Sequence, residues 1–297
     1  MIVMLLVLIS ASAAAQLNVA TYNIRLDKDT DRVQGDGWEK RCPKICDLVR
    51  YHGFHLFGAQ EVLRNQLDDM LELLPGYGYV GVAREDGKEK GEYVPIFYDK
   101  EKMKVLKSGC FWLSETPDVP SVGWDAHCYR IVTYAKMRVR GTGKVFWCFN
   151  THFDHRGQTA RYNSVDLLAG KIARIAGREP FILLGDFNTD QNSVDYGRLK
   201  AIEGLGDSYD LAEIRMGWCG TANNFENDVV TDSRFDHIFV SRRFRVSRYA
   251  VLTDSYRDVA VEEEFTRSNF PEEIKFMNSV IRFPSDHYPV CVELRVR

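Results

Sequence analysis

The sequence predicts a mixed α/β protein built in layers, and three observations carry that prediction. Short β-branched and aromatic runs bounded by turn residues recur along the chain. Stretches with apolar residues at helical spacing lie between some of them. Strands and helices do not alternate regularly, so hairpins join several strands and the sheets are mixed, not purely parallel.

In chain order the strand runs are residues 17–24, 55–59, 94–98, 103–113, 130–139, 145–150, 181–184, 235–240, 244–252 and 288–296. Helical periodicity marks residues 46–51, 66–74 and 158–176; in the last, Val165, Leu168, Ala169, Ile172 and Ile175 line one face. Residues 254–283 carry VEEEF and PEEIKF and read as a charged surface excursion with some helix. Nothing inside the chain has the Pro, Gly or Ser content of a linker, and no repeat or low-complexity tract occurs. Residues 16–297 are therefore expected to form one domain.

Residues 1–15, MIVMLLVLISASAAA, are uncharged, apolar and end in small residues. That is the pattern of a secretory signal peptide, too short to stay as a membrane-spanning helix, so export to the periplasm or medium is expected, with no membrane insertion after cleavage. The seven cysteines are an odd number without a CxxC pair, which argues against a disulfide framework and against a zinc site. Net charge is −3. Nonspecific nucleic-acid binders tend to be basic because phosphate neutralisation supplies most of their affinity, so the balance leans towards a small phosphorylated substrate.

Polar side chains fall where apolar runs stop. Asn23 follows LNVATY, Glu61 follows HLFGAQ, and His152 and Asp154 follow VFWCFNT. Asp186 and Asn188 follow PFILLG, Asp236 opens DHIFV, and Asp286 and His287 precede YPVCVEL. Strand ends facing loops are where α/β folds build sites. Each residue alone reads as a turn or cap; the ordered set does not. Phosphoester hydrolysis needs such parts: carboxylates for a divalent ion, a base for a water, and donors for the phosphoryl oxygens.

The pieces TYNIR, AQE, NTHFDH, GDFN, FDHIFV and SDHYPV, in that order, resemble the endonuclease/exonuclease/phosphatase superfamily of deoxyribonuclease I-like phosphohydrolases. The resemblance implies a four-layer α/β/β/α sandwich of two packed mixed sheets and dependence on Mg²⁺ or Mn²⁺. It implies Glu61 as the main metal carboxylate, with Asn23 and Asp286 near the ion. Asp186 would orient or deprotonate water, Asn188 and His152 would donate to the phosphoryl group, and His287 would act on the scissile phosphate with Asp236 fixing its tautomer.

Around this set, Arg41 either supports the site or pairs on a helix surface. Arg84 and Glu92 flank a charged loop that is a hairpin tip or part of the substrate rim. Tyr98 either reaches the phosphate or packs in the core, and Asp154 and His155 either contact substrate or shape their loop. Trp112, Trp124 and Tyr129 stack on substrate or pack as core. His237, His52, His55 and His127 read as structural. The expected function is an exported, divalent-metal-dependent phosphoester hydrolase acting by direct water attack without a phosphoenzyme, on a soluble organic phosphate such as a sugar phosphate or nucleotide, as a monomer. The alternatives are a secreted nuclease, for which nucleic acid would be the partner, and an inactive binding module on the same fold.

Overall fold

The computed structural model describes residues 16–296; the leader expected over 1–15 lies outside the described residues. The strands are β1 (Gln16–Asn23), β2 (Leu56–Gln60), β3 (Tyr77–Val80), β4 (Ile96–Asp99), β5 (Met103–Trp112), β6 (Ile131–Val139), β7 (Val145–His152) and β8 (Phe181–Asp186). They continue with β9 (Leu205–Asp207), β10 (Ile214–Met216), β11 (Asp236–Ser241), β12 (Phe244–Val251), β13 (Tyr256–Phe265), β14 (Phe276–Arg282) and β15 (Val290–Val296). The helices are α1 (Asp29–Val33), α2 (Trp38–Tyr51), α3 (Arg64–Leu73), α4 (Gln158–Ala176), α5 (Val194–Lys200) and α6 (Ser208–Leu211).

Two mixed sheets form, in the orders β10-β12-β15-β1-β2-β4-β3 and β5-β6-β7-β8-β11-β9. Side chains alternate across a strand, and the central strands are apolar on both faces because both are covered. Leu17, Val19, Ile182 and Leu184 point into the core between the sheets. Ala20, Tyr22 and Phe57 turn outward to meet Ile45, Val49, Leu67 and Met70 of α2 and α3. Phe149, Phe181 and Leu183 face Val165, Leu168 and Ile172 of α4. This is the α/β/β/α sandwich. Leu168 is fully buried, and truncating such a leucine to alanine costs about 2–5 kcal/mol.

Helix α4 has no cap of its own at Gly157. Asp125, remote in sequence, accepts the N–H groups of Thr159 and Ala160 at 3.1 and 2.6 Å, satisfying two orphan donors. Helix α2 starts at Trp38, eight residues before the periodic stretch beginning at Cys46. Pro43 sits inside it and forfeits one main-chain bond; burial of Trp38, Arg41 and Cys42 carries the helix across that gap. The charged excursion contains no helix. It is a long antiparallel hairpin of β13 and β14 with two register shifts, forming its own two-stranded sheet. All seven cysteines are free thiols.

Candidate active site

Strand direction assembles the site. β1 and β2 run parallel and end at Asn23 and Gln60, so Glu61 follows at the same end. β7 and β8 run parallel and end at His152 and Asp186. β11 is antiparallel to β8, so its first residue, Asp236, stands directly across from Asp186. The loop carrying Ser285, Asp286 and His287 precedes β15 at this end too, because β15 is antiparallel to β1. Two sheets thus deliver their polar strand ends to one cleft of about 480 Å³.

Asn23 bridges the sheets: its Nδ2 donates to Glu61 Oε1 and to Asp186 Oδ2, both at 3.0 Å. Glu61 Oε2 accepts from the Leu26 N–H at 3.2 Å. His287 Nδ1 lies 2.9 Å from Asp236 Oδ2, and its Nε2 lies 4.0 Å from Asp186 Oδ2. His152 Nε2 reaches the same Asp186 oxygen at 3.5 Å. Asn188 Nδ2 donates to the Phe153 carbonyl at 3.0 Å, and its main-chain N–H donates to Asp186 Oδ1 at 2.8 Å. Glu61 and Asn188 have φ of 62° and 46°; asparagine tolerates this left-handed region, whereas Glu61 is held there by its surroundings. Gly185 is required: its φ is +148°, and a Cβ there would sit 2.0 Å from the Thr151 carbonyl oxygen.

Electrostatics differ across the cleft. Burial raises Asp186, and nearby Asp236 raises it further, to about 6 despite the opposing pull of His287. Burial opposes charge on His287, but Asp236, Asp186 and Asp286 outweigh it and hold the imidazole well above its ordinary value. His152 goes the other way, lowered well below it by burial and by Arg130 and Arg84.

The remaining sequence-derived candidates divide. Arg41 is fully buried and sends its hydrogen bonds to the main-chain carbonyls of Asp36, Ile24, Pro284, Arg25 and Leu26. It makes no surface ion pair; it clamps the loops that carry Arg25 and Asp286. Asp154 accepts from His127 N–H, Arg156 N–H, Gly157 N–H and Arg130 Nε, so it shapes the loop after β7. Arg84 and Glu92 line the cleft and form a two-point pair at 2.8 and 2.6 Å. Tyr98 is not brought to the cleft: it pairs with Leu56 at the far end of β2 and packs on the core between the sheets. Trp112 is buried, its Nε1 donating to the Arg84 carbonyl at 2.6 Å.

The sequence pattern gives no site role to Arg25 or Arg130 and a structural one to His127. All three line the cleft. Arg25 pairs with Asp31 at 2.8 Å and with Asp286 at 3.2 Å. Its place inside TYNIR was the available signal. The His127 ring packs edge-on against His155 at 5.2 Å on the cleft wall.

The donor set suits a divalent ion. Burial raises Asp286, His287 lowers it, and repulsion from Glu61 raises it again, leaving the carboxyl above its ordinary value. Crowded carboxylate and amide oxygens without thiols are hard ligands of the kind Mg²⁺ and Mn²⁺ take. Asp186, Asp236 and His287 also bring ligand atoms within 4.8 Å of one another. Nδ1 of His287 is already engaged by Asp236 there, so that trio is better suited to holding protons.

A two-sheet sandwich with this cleft defines a class, the phosphoric ester hydrolases. A sequence model of the endonuclease/exonuclease/phosphatase family matches residues 20–287, and the chain belongs to that family, whose members generally depend on divalent metal. A protein of this family from Bacteroides thetaiotaomicron has a TM-score of 0.88 and 46% identity, covering 95% of this chain and 98% of its own. A mannosyl-6-phosphatase of the same organism has a TM-score of 0.85 and 45% identity, covering 94% and 99%. A protein of Acanthamoeba polyphaga mimivirus is 28% identical over 214 residues, 68% of this chain and 79% of its own.

Proposed function

We propose that the chain is an exported, Mg²⁺- or Mn²⁺-dependent phosphatase that releases phosphate from a soluble sugar phosphate by direct attack of water. The observation that carries the mechanism is the convergence of Asp186, His152, Asn188 and the His287–Asp236 pair on one cleft. The substrate class is supported by 45% identity to a mannosyl-6-phosphatase over nearly the whole chain. Export is supported by the uncharged apolar stretch at residues 1–15.

Glu61, Asn23 and Asp286 would hold the ion, which when bound would neutralise phosphoryl charge and act as a Lewis acid. Asp186, raised to about 6, is suited to take a proton from the attacking water. Asn188 has spent one N–H on Phe153 and has a second for a phosphoryl oxygen. Neutral His152 offers a hydrogen bond to the same group. His287 is held as an imidazolium with Nδ1 committed to Asp236, so its Nε2 proton is the one available to the leaving oxygen. The water proton thus goes to Asp186 and the leaving alcohol receives one from His287.

The test is hydrolysis by protein lacking residues 1–15, with Mg²⁺ or Mn²⁺, of mannose 6-phosphate, glucose 6-phosphate, a nucleotide, plasmid DNA, single-stranded RNA and sphingomyelin, read as phosphate release for the monoesters and as chain nicking or phosphocholine release for the diesters. EDTA-sensitive release from the sugar phosphates, absent in Asp186→Asn, is expected. Nicked plasmid with the monoesters untouched would make the chain a nuclease and overturn the substrate class.

A further inference from the structure

Behind the catalytic turn lies a buried cluster that the scheme above leaves unused. His237 follows Asp236 on β11, so strand alternation sends it to the opposite face, between the sheet and α5. There its ring lies 5.0 Å from Tyr196, 5.6 Å from Phe239 and 5.9 Å from Phe187. Its Nε2 lies 3.2 Å from the Thr189 carbonyl oxygen. A carbonyl only accepts, so Nε2 carries the proton of that bond. Its Nδ1 lies 3.7 Å from Asp207 Oδ2. Asp207 is itself fixed, accepting the Tyr196 hydroxyl at 2.7 Å and the Tyr209 N–H at 2.9 Å. Both His237 and Asp207 are about 1% exposed.

The position of Thr189 gives this cluster its meaning. It follows Asn188, whose left-handed backbone aims both the Asn188 side chain and the main-chain N–H that holds Asp186. Asparagine tolerates this conformation, so the turn keeps its aim through the contacts that hold it in place. In front, Asn188 Nδ2 is tied to the Phe153 carbonyl. Behind, the Thr189 carbonyl is tied to His237, while its hydroxyl meets Ser193 Oγ at 2.6 Å.

We infer that His237, oriented by Asp207, is a positioning residue that braces the Asp186–Asn188 turn from behind. The inference rests on the hydrolytic reading for its kinetic consequence, but not for its structural one. A small displacement of a base or donor costs on the order of 10²-fold in rate. His237→Phe keeps the aromatic packing and removes the donor; His237→Gln keeps an N–H donor.

Two measurements decide it. Amide hydrogen exchange at residues 186–190 should speed up in His237→Phe and much less in His237→Gln, whatever the substrate. On the best phosphoester, His237→Phe should lower kcat about 10²-fold with little change in KM, and His237→Gln should recover most of the loss. Unchanged exchange, or equal kcat loss in the two variants, would overturn the brace. A lowered Tm with wild-type kcat per folded molecule would leave His237 a stability residue only and also overturn it. Absence of turnover in wild type would count against the hydrolytic reading alone. Should His237→Phe not fold, Asp207→Asn, nearly equal in volume, carries the same two readouts.

Discussion

His152 and His287 approach one oxygen of Asp186 from two regions of the same cleft, and their surroundings drive them to opposite charge states. Around His152 stand Arg130 and Arg84, which with burial favour the neutral ring. Around His287 stand Asp236, Asp186 and Asp286, which overcome burial and favour the imidazolium. The difference teaches that residue type alone does not assign acid and base; the neighbours do.

The largest expected effect comes from removing the charged member. His287→Ala should lower kcat about 10³-fold, read from initial rates at saturating substrate; a loss below tenfold would reduce His287 to a binding role. Asp236→Asn should sharpen the contrast. It withdraws the partner that raises His287, so kcat should fall on the order of 10²-fold. The sign on pH follows: a raised pKa keeps the imidazolium as pH rises, so losing Asp236 should move the alkaline limb of kcat to lower pH. An unmoved limb would separate Asp236 from His287.

Next is the His152 side. Arg130 and Asp154 form a pair 4% and 1% exposed at 3.1 Å. Asp154→Asn leaves the Arg130 charge uncompensated and should cost about 3 kcal/mol in urea unfolding. Burial alone would raise Asp154, but three backbone N–H groups and Arg130 outweigh it and hold the carboxyl well below its ordinary value. Its stabilisation is therefore complete above the unfolded pKa of about 3.9 and is lost as pH falls towards the folded one. Wild type should lose stability in acid more steeply than Asp154→Asn; parallel curves would remove Asp154 as the cause. The smallest effect belongs to Tyr98→Phe, away from the cleft, which should leave kcat and KM within about twofold. A larger change in KM would put Tyr98 back in contact with substrate.

Much of the sandwich was legible because its strands are apolar on both faces and α4 repeats its apolar positions from Gln158 to Ala176. The β13–β14 hairpin was not, since Val259 and Val261 are exposed and bury against no sheet face that would impose a pattern. Short elements such as β9 and α5 owe their form to tertiary contacts, including Tyr196 with Asp207. Within the cleft, the carboxylates, amides and imidazoles announced themselves as polar residues ending apolar runs. Arg130 precedes β6 instead of ending a strand, and so followed no such rule.

The rung that sets Asp236 across from Asp186 has a consequence for folding quality. The pleat repeats every two residues, so sliding β11 by one place would seat His237 opposite Asp186 and turn Asp236 towards α5. Such a molecule would keep much of its apolar bulk and could remain compact, yet it would carry no carboxylate on Nδ1 of His287. Turnover is thus a gauge of strand registration: the specific activity of a refolded sample should count the correctly zipped molecules, while circular dichroism would count both kinds.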